Sequence, residues 1–193
     1  GADAIYLGGS RFGARAFAQN FDEEELTQAV CYAHAYGVKI YVTMNTLIYD
    51  EEIEDVLAYV AFLQSIDVDA LIIQDIGLLN LVHQRFPDLE LHVSTQMHIH
   101  NEAGIQLLKD MGASRVVLPR ETPIETIKKL SKCGVELEVF VQGALCVSYS
   151  GQCLMSSKTL SRSGNRGACA QSCRMRYTLE ELSDGPYQKV PCK

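Results

Sequence analysis

The sequence predicts an α/β protein of the TIM-barrel type, in which six parallel strands form an incomplete barrel. Three observations lead to this prediction: short apolar segments alternate strictly with helix-like segments, polar residues follow each apolar segment, and 47% of the 193 residues are hydrophobic. Strict alternation is typical of parallel strands joined by right-handed helical crossovers. An open doubly wound sheet is the alternative architecture. A complete barrel needs eight strands and about 250 residues, so six strands would leave the barrel open.

The first half of the chain contains three apolar, strand-like segments, at 4–8, 39–45 and 70–75. The first helix-like segment begins at Asp22, a favourable N-cap residue with Glu25 three positions later, and ends at Gly37. The second begins at Asp50 and carries apolar residues at helical spacing along one face. The third covers residues 76–86 and ends before a proline.

The second half contains three further strand-like segments, at 90–96, 115–120 and 136–143. A helix-like segment at 101–111 separates the first two. Another helix is predicted to begin at Thr122, with Pro123 at its first position. Glu125 would complete a capping box with Thr122, and Ile124 would face the core.

The alternation stops after Gly143, and this divides the chain into two predicted regions. Residues 1–145 form the partial barrel, and residues 146–193 form a cysteine-rich loop and the start of a C-terminal extension. Within the second region, 157–176 is predicted to be a loop and 177–182 a strand or a short helix.

Polar residues at the ends of the six strands favour a barrel over an open sheet. Barrel enzymes build their active sites at the carboxyl ends of several strands, whereas an open sheet concentrates them at one switch point. The alternative is that these ends are polar only because they are exposed. The residues concerned are Ser10, Thr43, Asn45, Gln74, Asp75, Thr95, Gln96, Arg120, Glu121 and Gln142.

Composition excludes several classes of protein. The net charge of −7 argues against nucleic-acid binding over the whole surface and leaves room for a local basic patch. No apolar run approaches the roughly 20 residues that cross a bilayer, so no membrane segment is predicted. The chain begins at Gly1 inside a strand pattern, which suggests a piece of a longer protein. Clustered cysteines beside a large apolar core are typical of a reduced, cytoplasmic, metal-binding chain.

Four cysteines lie within 28 residues, directly after the sixth strand. Cys146, Cys153, Cys169 and Cys173 are separated by 7, 16 and 4 positions, which allows them to surround one metal centre. Thiolates are ligands for zinc or for iron–sulfur clusters. Structural zinc sites more often contain C-x₂-C pairs, which are absent here, whereas iron–sulfur clusters tolerate wider spacing. Disulfides and separate core thiols are the alternatives.

Two further groups of residues are candidates for binding. Arg162, Arg166 and Arg174 belong to a basic stretch without acidic residues between positions 157 and 179, which could bind RNA phosphates. The alternative is a solvated basic loop. His98 and His100 could project to one side of an extended stretch as metal ligands, or they are polar loop residues beside a strand end.

The segment from Glu138 to Ser156, EVFVQGALCVSYSGQCLMS, resembles the signature of the collagenase-like peptidases, peptidase family U32. The opening GADAIYLGG, the STQ at 94–96 and the NRGACAQSCR at 165–174 also resemble the family, so the resemblance spans essentially the whole chain. Two features depart from the family pattern. Many members carry histidine where this chain has Gln142, and members usually have a further strand and helix before GADA and a further region after the position of Lys193.

The resemblance implies one of two activities. The family takes its name from collagen degradation, without agreed catalytic residues. Other members bind a [4Fe-4S] cluster through four cysteines and support oxygen-independent hydroxylation of a tRNA or rRNA base or of a quinone precursor. The resemblance implies Cys146, Cys153 and Cys169 as cluster ligands, with Cys173 or a cysteine further downstream as the fourth.

We therefore expect an iron–sulfur hydroxylase acting on an RNA base, in particular of tRNA, with zinc as the lesser possibility for the metal. The alternatives are a peptidase, and a scaffold subunit that needs a homologous partner. The hydrolase motifs G-x-S-x-G and H-E-x-x-H are absent from the sequence, which weakens the peptidase hypothesis. Glu138 in the signature, and Arg120 and Glu121 after the fifth strand, are the candidate catalytic residues.

Overall fold

The computed structural model describes residues 1–143, 145–180 and 189–191. All neighbours in its main sheet pair in parallel, and the strand order is the order of the sequence. Sequential order produces a half-barrel, because a doubly wound sheet reverses its order at a switch point. The predicted incomplete barrel is therefore confirmed. Its strands are β1 (Ala4–Leu7), β2 (Lys39–Met44), β3 (Ala70–Ile73), β4 (Glu90–Val93), β5 (Ala113–Val117) and β6 (Glu136–Glu138).

Five helices connect these strands, and their ends follow local capping signals. Asp22 and Glu25 form the predicted capping box at the first helix, and the Asp75 side chain accepts a hydrogen bond from the amide of Leu78 at the third. The helices are α1 (Glu23–Ala35), α2 (Ile53–Ser65), α3 (Ile76–Arg85), α4 (Glu102–Asp110) and α5 (Ile124–Leu130). None of the described helices is long and apolar enough to cross a membrane.

The apolar core lies between the sheet and the helices. Val42, Leu71 and Val93 on the strands and Leu26 and Val60 on the helices are completely buried there. The inner face of the half-barrel carries a second, smaller apolar cluster of Tyr41, Ala70 and Ile72, and the Arg115 guanidinium stacks over Tyr41. Because parallel strands place alternate side chains on opposite faces, this division follows directly from the sequence of each strand.

The sixth strand is shorter than predicted. It ends at Glu138 rather than at residue 143, and Val141 beyond it is 95% exposed. The amide of Leu118 donates to the carbonyl of Glu138 at the end of the ladder between β5 and β6. β5 ends at Val117 instead of reaching residue 120, and Pro119 beyond it has no amide hydrogen to donate to a neighbouring strand.

Two other predicted elements differ from the structure. The strand predicted at 90–96 ends at Val93, and a 3₁₀ turn covers Thr95–Met97. Thr122 does not form a capping box, because its amide closes a turn to the carbonyl of Pro119 and the helix begins only after Pro123. Ile124, predicted to face the core, is 62% exposed.

The region after β6 contains more regular structure than the predicted loop. A short helix, α6 (Met155–Leu160), is followed by 3₁₀ turns at Gly164–Arg166 and Ser172–Arg174. Strands β7 (Thr178–Glu180) and β8 (Lys189–Pro191) pair antiparallel. Part of the predicted strand at 177–182 is thus present as β7, and residues 181–182 lie outside the described residues. The division of the chain at 145/146 stays a prediction.

Candidate functional site

Residues 145–178, called the cysteine segment below, contact loops at the carboxyl ends of the strands. The first contact is with the loops after β4 and β5. Ser150 donates from its amide to Glu121 Oε1 at 3.0 Å and from its hydroxyl to Glu121 Oε2 at 3.2 Å. Gly151, at φ +74°, packs so closely on the Gln96 carbonyl that a Cβ would lie 2.0 Å from its oxygen. Only glycine fits this position.

The second contact is with the loops after β1 and β2. The Arg166 guanidinium donates to both carboxylate oxygens of Glu52, at 2.8 and 2.5 Å, and to the carbonyl of Leu47. The Gly167 carbonyl accepts a hydrogen bond from the amide of Ala16 at 3.1 Å. The segment therefore extends from the ends of β4 and β5 to the ends of β1 and β2. A cavity of about 240 Å³ beside Arg166 is lined by residues of the β1 and β2 loops.

Two buried serines stabilise the interior of the cysteine segment. Ser156 Oγ accepts a hydrogen bond from the amide of Ala170 at 3.0 Å, and it lies 3.5 Å from Ser172 Oγ and 3.8 Å from Cys169 Sγ. Both serines are almost fully buried, at 3% exposed. These contacts join α6 to the chain around Cys169.

The four predicted cysteine ligands all lie in this segment as free thiols. Cys153 and Cys169 both lie beside Gly164, because a Cβ at that glycine would be 3.7 Å from the Cys153 carbonyl oxygen and 3.8 Å from Cys169 Cβ. Cys146 and Cys173 are exposed, and the Arg174 guanidinium next to Cys173 donates to the carbonyl of Leu145 next to Cys146 at 3.1 Å. Two pairs of cysteine-bearing loops are thus adjacent.

The spacing of the thiols bears on the kind of metal centre. Thiolates on one zinc ion lie about 3.8 Å apart, because each Zn–S bond is about 2.3 Å long. Among the described residues, no three cysteine sulfur atoms lie within 4.8 Å of one another. An iron–sulfur cluster needs a wider arrangement, since each thiolate binds a different iron atom. The four free thiols on adjacent loops are donors that both zinc ions and iron–sulfur clusters use.

The three arginines predicted to bind substrate have different surroundings. Arg166 is engaged with Glu52 and stacks over Tyr49, with its guanidinium carbon 4.6 Å from the ring centroid. Arg162 donates to the Ala168 carbonyl and stacks over Phe17 at 4.3 Å. Arg174 is exposed. Of the three, Arg174 has the guanidinium most accessible to an external phosphate.

The candidate catalytic residues lie in different places. The guanidinium carbon of Arg120 lies 4.5 Å from the centroid of the Phe140 ring, so Arg120 does not share the partners of Glu121. Glu138 lies 3.4 Å from Arg115 Nη1 and lines a separate cavity of about 380 Å³. That cavity also includes Asp3 and Lys39, at the amino ends of β1 and β2, so the structure does not bring Glu138 together with Glu121.

Glu121 is adjacent to both histidines considered from the sequence, His98 and His100. Its Oε1 lies 3.4 Å from His98 Nδ1 and 3.8 Å from His100 Nε2. Burial raises the pKa of the Glu121 carboxyl, but hydrogen bonds from the Ser150 amide and other donors outweigh it and lower the pKa overall. His92 is not part of this group. It is completely buried on β4, against Tyr41, and its ring nitrogen lies 3.0 Å from Glu90.

Sequence reasoning missed the residues that position the cysteine segment. Glu52, Ser150 and Ser156 show no recognisable motif for this role, although Ser150 and Ser156 belong to the signature segment. Glu52 is separated from Arg166 by 114 positions, so no local pattern indicates the pair. Of the three, only Ser156 is specified by the family signature itself.

Comparison with known families identifies the family of this chain. The model of peptidase family U32 matches residues 1–190. The chain belongs to peptidase family U32. Two U32 relatives with RNA-related names are a 23S rRNA 5-hydroxycytidine synthase of Escherichia coli, 43% identical over 182 residues, and a tRNA hydroxylation protein of Bacillus subtilis, 39% identical over 186. The matches cover 94% and 96% of this chain but only 27% and 44% of the relatives.

The U32 family also contains a relative with a different name. A protein of Porphyromonas gingivalis named collagenase is 36% identical over 198 residues, covering 96% of this chain and 47% of that protein. The solved structure of the U32 peptidase Mk0906 matches with a TM-score of 0.60 at 17% identity, over 71% of this chain and 60% of that one. This last likeness concerns the fold alone. The chain spans less than half the length of the three curated relatives named here.

Proposed function

We propose that this chain is the cluster-binding part of an enzyme that hydroxylates an RNA base without using oxygen. The observation that carries the proposal is the 43% identity to an rRNA 5-hydroxycytidine synthase over nearly the whole chain, including the cysteine segment. The proposal assigns a [4Fe-4S] cluster to Cys146, Cys153, Cys169 and Cys173. Such a cluster supplies one-electron redox chemistry when it is bound.

Exposed cations on the cysteine segment would bind the RNA backbone. Lys158, Arg174 and Arg176 are exposed, and phosphate contacts of this kind give affinity without sequence preference. The Tyr177 hydroxyl donates to the Ser172 carbonyl at 2.7 Å, which fixes a ring that is half exposed and available for stacking on an unpaired base. Arg162 and Arg166 position the segment instead, because both are half-buried and their guanidinium groups stack over aromatic rings of the protein.

Anaerobic purification followed by iron and sulfide determination tests the cluster. We expect about four iron and four sulfide per chain, as a cluster of this type contains. Cys153→Ser should lose most of the iron, whereas Cys31→Ser, which replaces an exposed cysteine on α1, should retain it. Equal iron content in the two variants, or stoichiometric zinc in the native protein, would contradict the assignment.

RNA modification is tested separately, with tRNA and rRNA transcripts and mass spectrometry of the digested nucleosides. The assay includes a dialysable cell extract, because replacing C–H by C–OH needs an oxygen donor and a two-electron oxidant. The expected product is one additional oxygen on a single base, formed in the absence of O₂. Arg176→Ala should weaken RNA binding and reduce the slope of log K against log salt concentration by about 1.

Two other results would favour the alternative functions. A metal-free protein that hydrolyses peptides would favour the peptidase hypothesis, for which the relative named collagenase is the support. Activity that appears only with a homologous partner would favour the scaffold hypothesis.

A further inference from the structure

His98, His100 and Glu121 form a group of three metal-ligating side chains outside the cysteines. Their ligand atoms all lie within 4.8 Å of one another, and in the part of the chain that the structure describes no other group of three or more such residues meets this criterion. His98 and His100 pack edge to face, with ring centroids 4.3 Å apart. The group lies at the carboxyl ends of β4 and β5, where barrel enzymes place their reactive groups.

The two ring nitrogens that face Glu121 lack hydrogen-bond partners. His98 Nδ1 and His100 Nε2 are both shielded from solvent, and neither makes a hydrogen bond of acceptable geometry within the described residues. A buried polar atom without a partner costs about 1–3 kcal/mol. Two such atoms directed at one carboxylate therefore need an explanation, and a shared ligand between the three groups provides it.

The distances fit a single small cation. Nitrogen and oxygen ligands lie about 2.1 Å from a transition metal, so two ligands in a tetrahedral arrangement are about 3.4 Å apart. The separation of His98 Nδ1 from Glu121 Oε1 is 3.4 Å, and that of His100 Nε2 from the same oxygen is 3.8 Å. The second distance needs a shift of a few tenths of an ångström, which a rotation of either side chain supplies.

The surrounding residues hold the ligands in place. Ser150 donates to both carboxylate oxygens of Glu121, and each oxygen keeps a second lone pair for another ligand. His98 has a left-handed backbone conformation, with φ 61° and ψ 49°, which is uncommon for a residue with a side chain. The ring of Tyr149 packs edge-on against the His98 ring, with the two ring centroids 5.4 Å apart. Outer contacts of this kind are typical of metal sites.

We infer that His98 Nδ1, His100 Nε2 and Glu121 Oε1 bind one divalent first-row transition-metal ion. Two imidazoles and one carboxylate are the ligands of catalytic zinc and of mononuclear iron sites that keep open positions. The three side chains are 25–30% exposed, so water can occupy the remaining positions. The site uses no cysteine and does not depend on the proposed function.

The test measures Co²⁺ binding after the cysteines have been alkylated, so that thiolates cannot bind the ion. The folded protein, stripped of metal and alkylated, should bind one Co²⁺ per chain with a visible spectrum lacking sulfur-to-cobalt charge transfer. Zn²⁺ should displace the ion and Mg²⁺ should not, because imidazole is a poor ligand for magnesium. Binding that disappears on alkylation would overturn the inference.

Variants locate the ion. His100→Ala and Glu121→Gln should each lower the affinity by about 100-fold or more, and Ser150→Ala by about 10–100-fold, since it removes only a supporting contact. His83→Ala replaces an exposed histidine on α3 and should leave the affinity unchanged. Circular dichroism checks that each variant is folded. Affinity that survives both His100→Ala and the more conservative His100→Gln would overturn the assignment, whatever the iron content of the cysteines.

Discussion

The half-barrel and the cysteine segment are held by different kinds of contact. In the half-barrel, completely buried apolar side chains of the strands pack against those of five helices. In the cysteine segment, the described contacts are mainly hydrogen bonds and ion pairs, and several large apolar side chains are exposed. Those exposed side chains are Leu145, Val147, Leu154, Leu160 and Met175. The stability of the segment thus depends on a few polar side chains, whereas that of the half-barrel is distributed over many.

The proposed cluster ligands therefore lie in a segment that can open locally while the half-barrel stays folded. The contacts of Ser150 and Arg166 join the segment to the loops of β5 and β2. Loss of one such contact should release part of the segment while the sheet remains folded, because local opening requires less free energy than global unfolding. Loss of a core contact should destabilise both regions together. Three substitutions test this distinction.

The largest effect is expected for Leu71→Ala in the centre of the sheet. Leu71 on β3 is completely buried in the main core, so truncation leaves a cavity and should lower the free energy of unfolding by about 2–5 kcal/mol. Urea denaturation followed by circular dichroism measures the change. Leu107→Ala on α4 is the matched control, because Leu107 is 54% exposed and its truncation should cost less than about 0.5 kcal/mol. Equal losses for the two variants would contradict the proposed location of the core.

A smaller and more local effect is expected for Ser156→Ala. The variant leaves the amide of Ala170 without its acceptor, which should destabilise the segment by about 1–3 kcal/mol. Hydrogen–deuterium exchange should accelerate in peptides covering 155–172 and stay unchanged in those covering β3 and β4. Ser157→Ala, at the next and less buried position of α6, serves as control. Accelerated exchange throughout the sheet would show that the two regions are one cooperative unit.

The smallest effect is expected for Glu52→Gln. The hydrogen bond from Arg166 is the main cause that lowers the pKa of the Glu52 carboxyl from its usual value of 4.5. A lowered pKa in the folded state means that the ion pair stabilises the protein above about pH 4.5 and that this contribution is lost as the pH falls further. Because both side chains are about one-quarter exposed, we expect a contribution of about 0.2–1 kcal/mol.

Hydrogen exchange of residues 163–168, corrected for intrinsic rates at each pH, measures this contribution. Wild-type protection should fall as the pH decreases below about 4.5, and Glu52→Gln should be less protected at neutral pH with a weaker dependence on pH. Glu54→Gln replaces an exposed carboxylate near the start of α2 and should behave as the wild type. Identical pH profiles for wild type and Glu52→Gln would mean that Arg166 is not what holds the segment.

Several elements of the fold could be predicted because their signals are local. The capping box of Asp22 and Glu25 satisfies amides within one helical turn, and it formed as expected. The capping box expected at Thr122 did not form, because a turn to Pro119 competes for the same amide. β6 ends at Glu138, whose carbonyl accepts a hydrogen bond from the amide of Leu118 just after the neighbouring strand β5. Local patterns predicted where the elements are, and contacts between elements set where they end.

The sequence by itself determined the strand–helix alternation, the parallel half-barrel, the family and the position of four cysteines in one segment. Only the tertiary structure decided what that segment contacts. Arg166 contacts Glu52, which is 114 positions away in the sequence, and Ser150 contacts Glu121, which is 29 positions away. These sequence separations are much longer than the repeat of a helix or a strand. Periodicity and capping are properties of neighbouring residues, whereas an ion pair or a metal site forms only where the folded backbone brings distant side chains together.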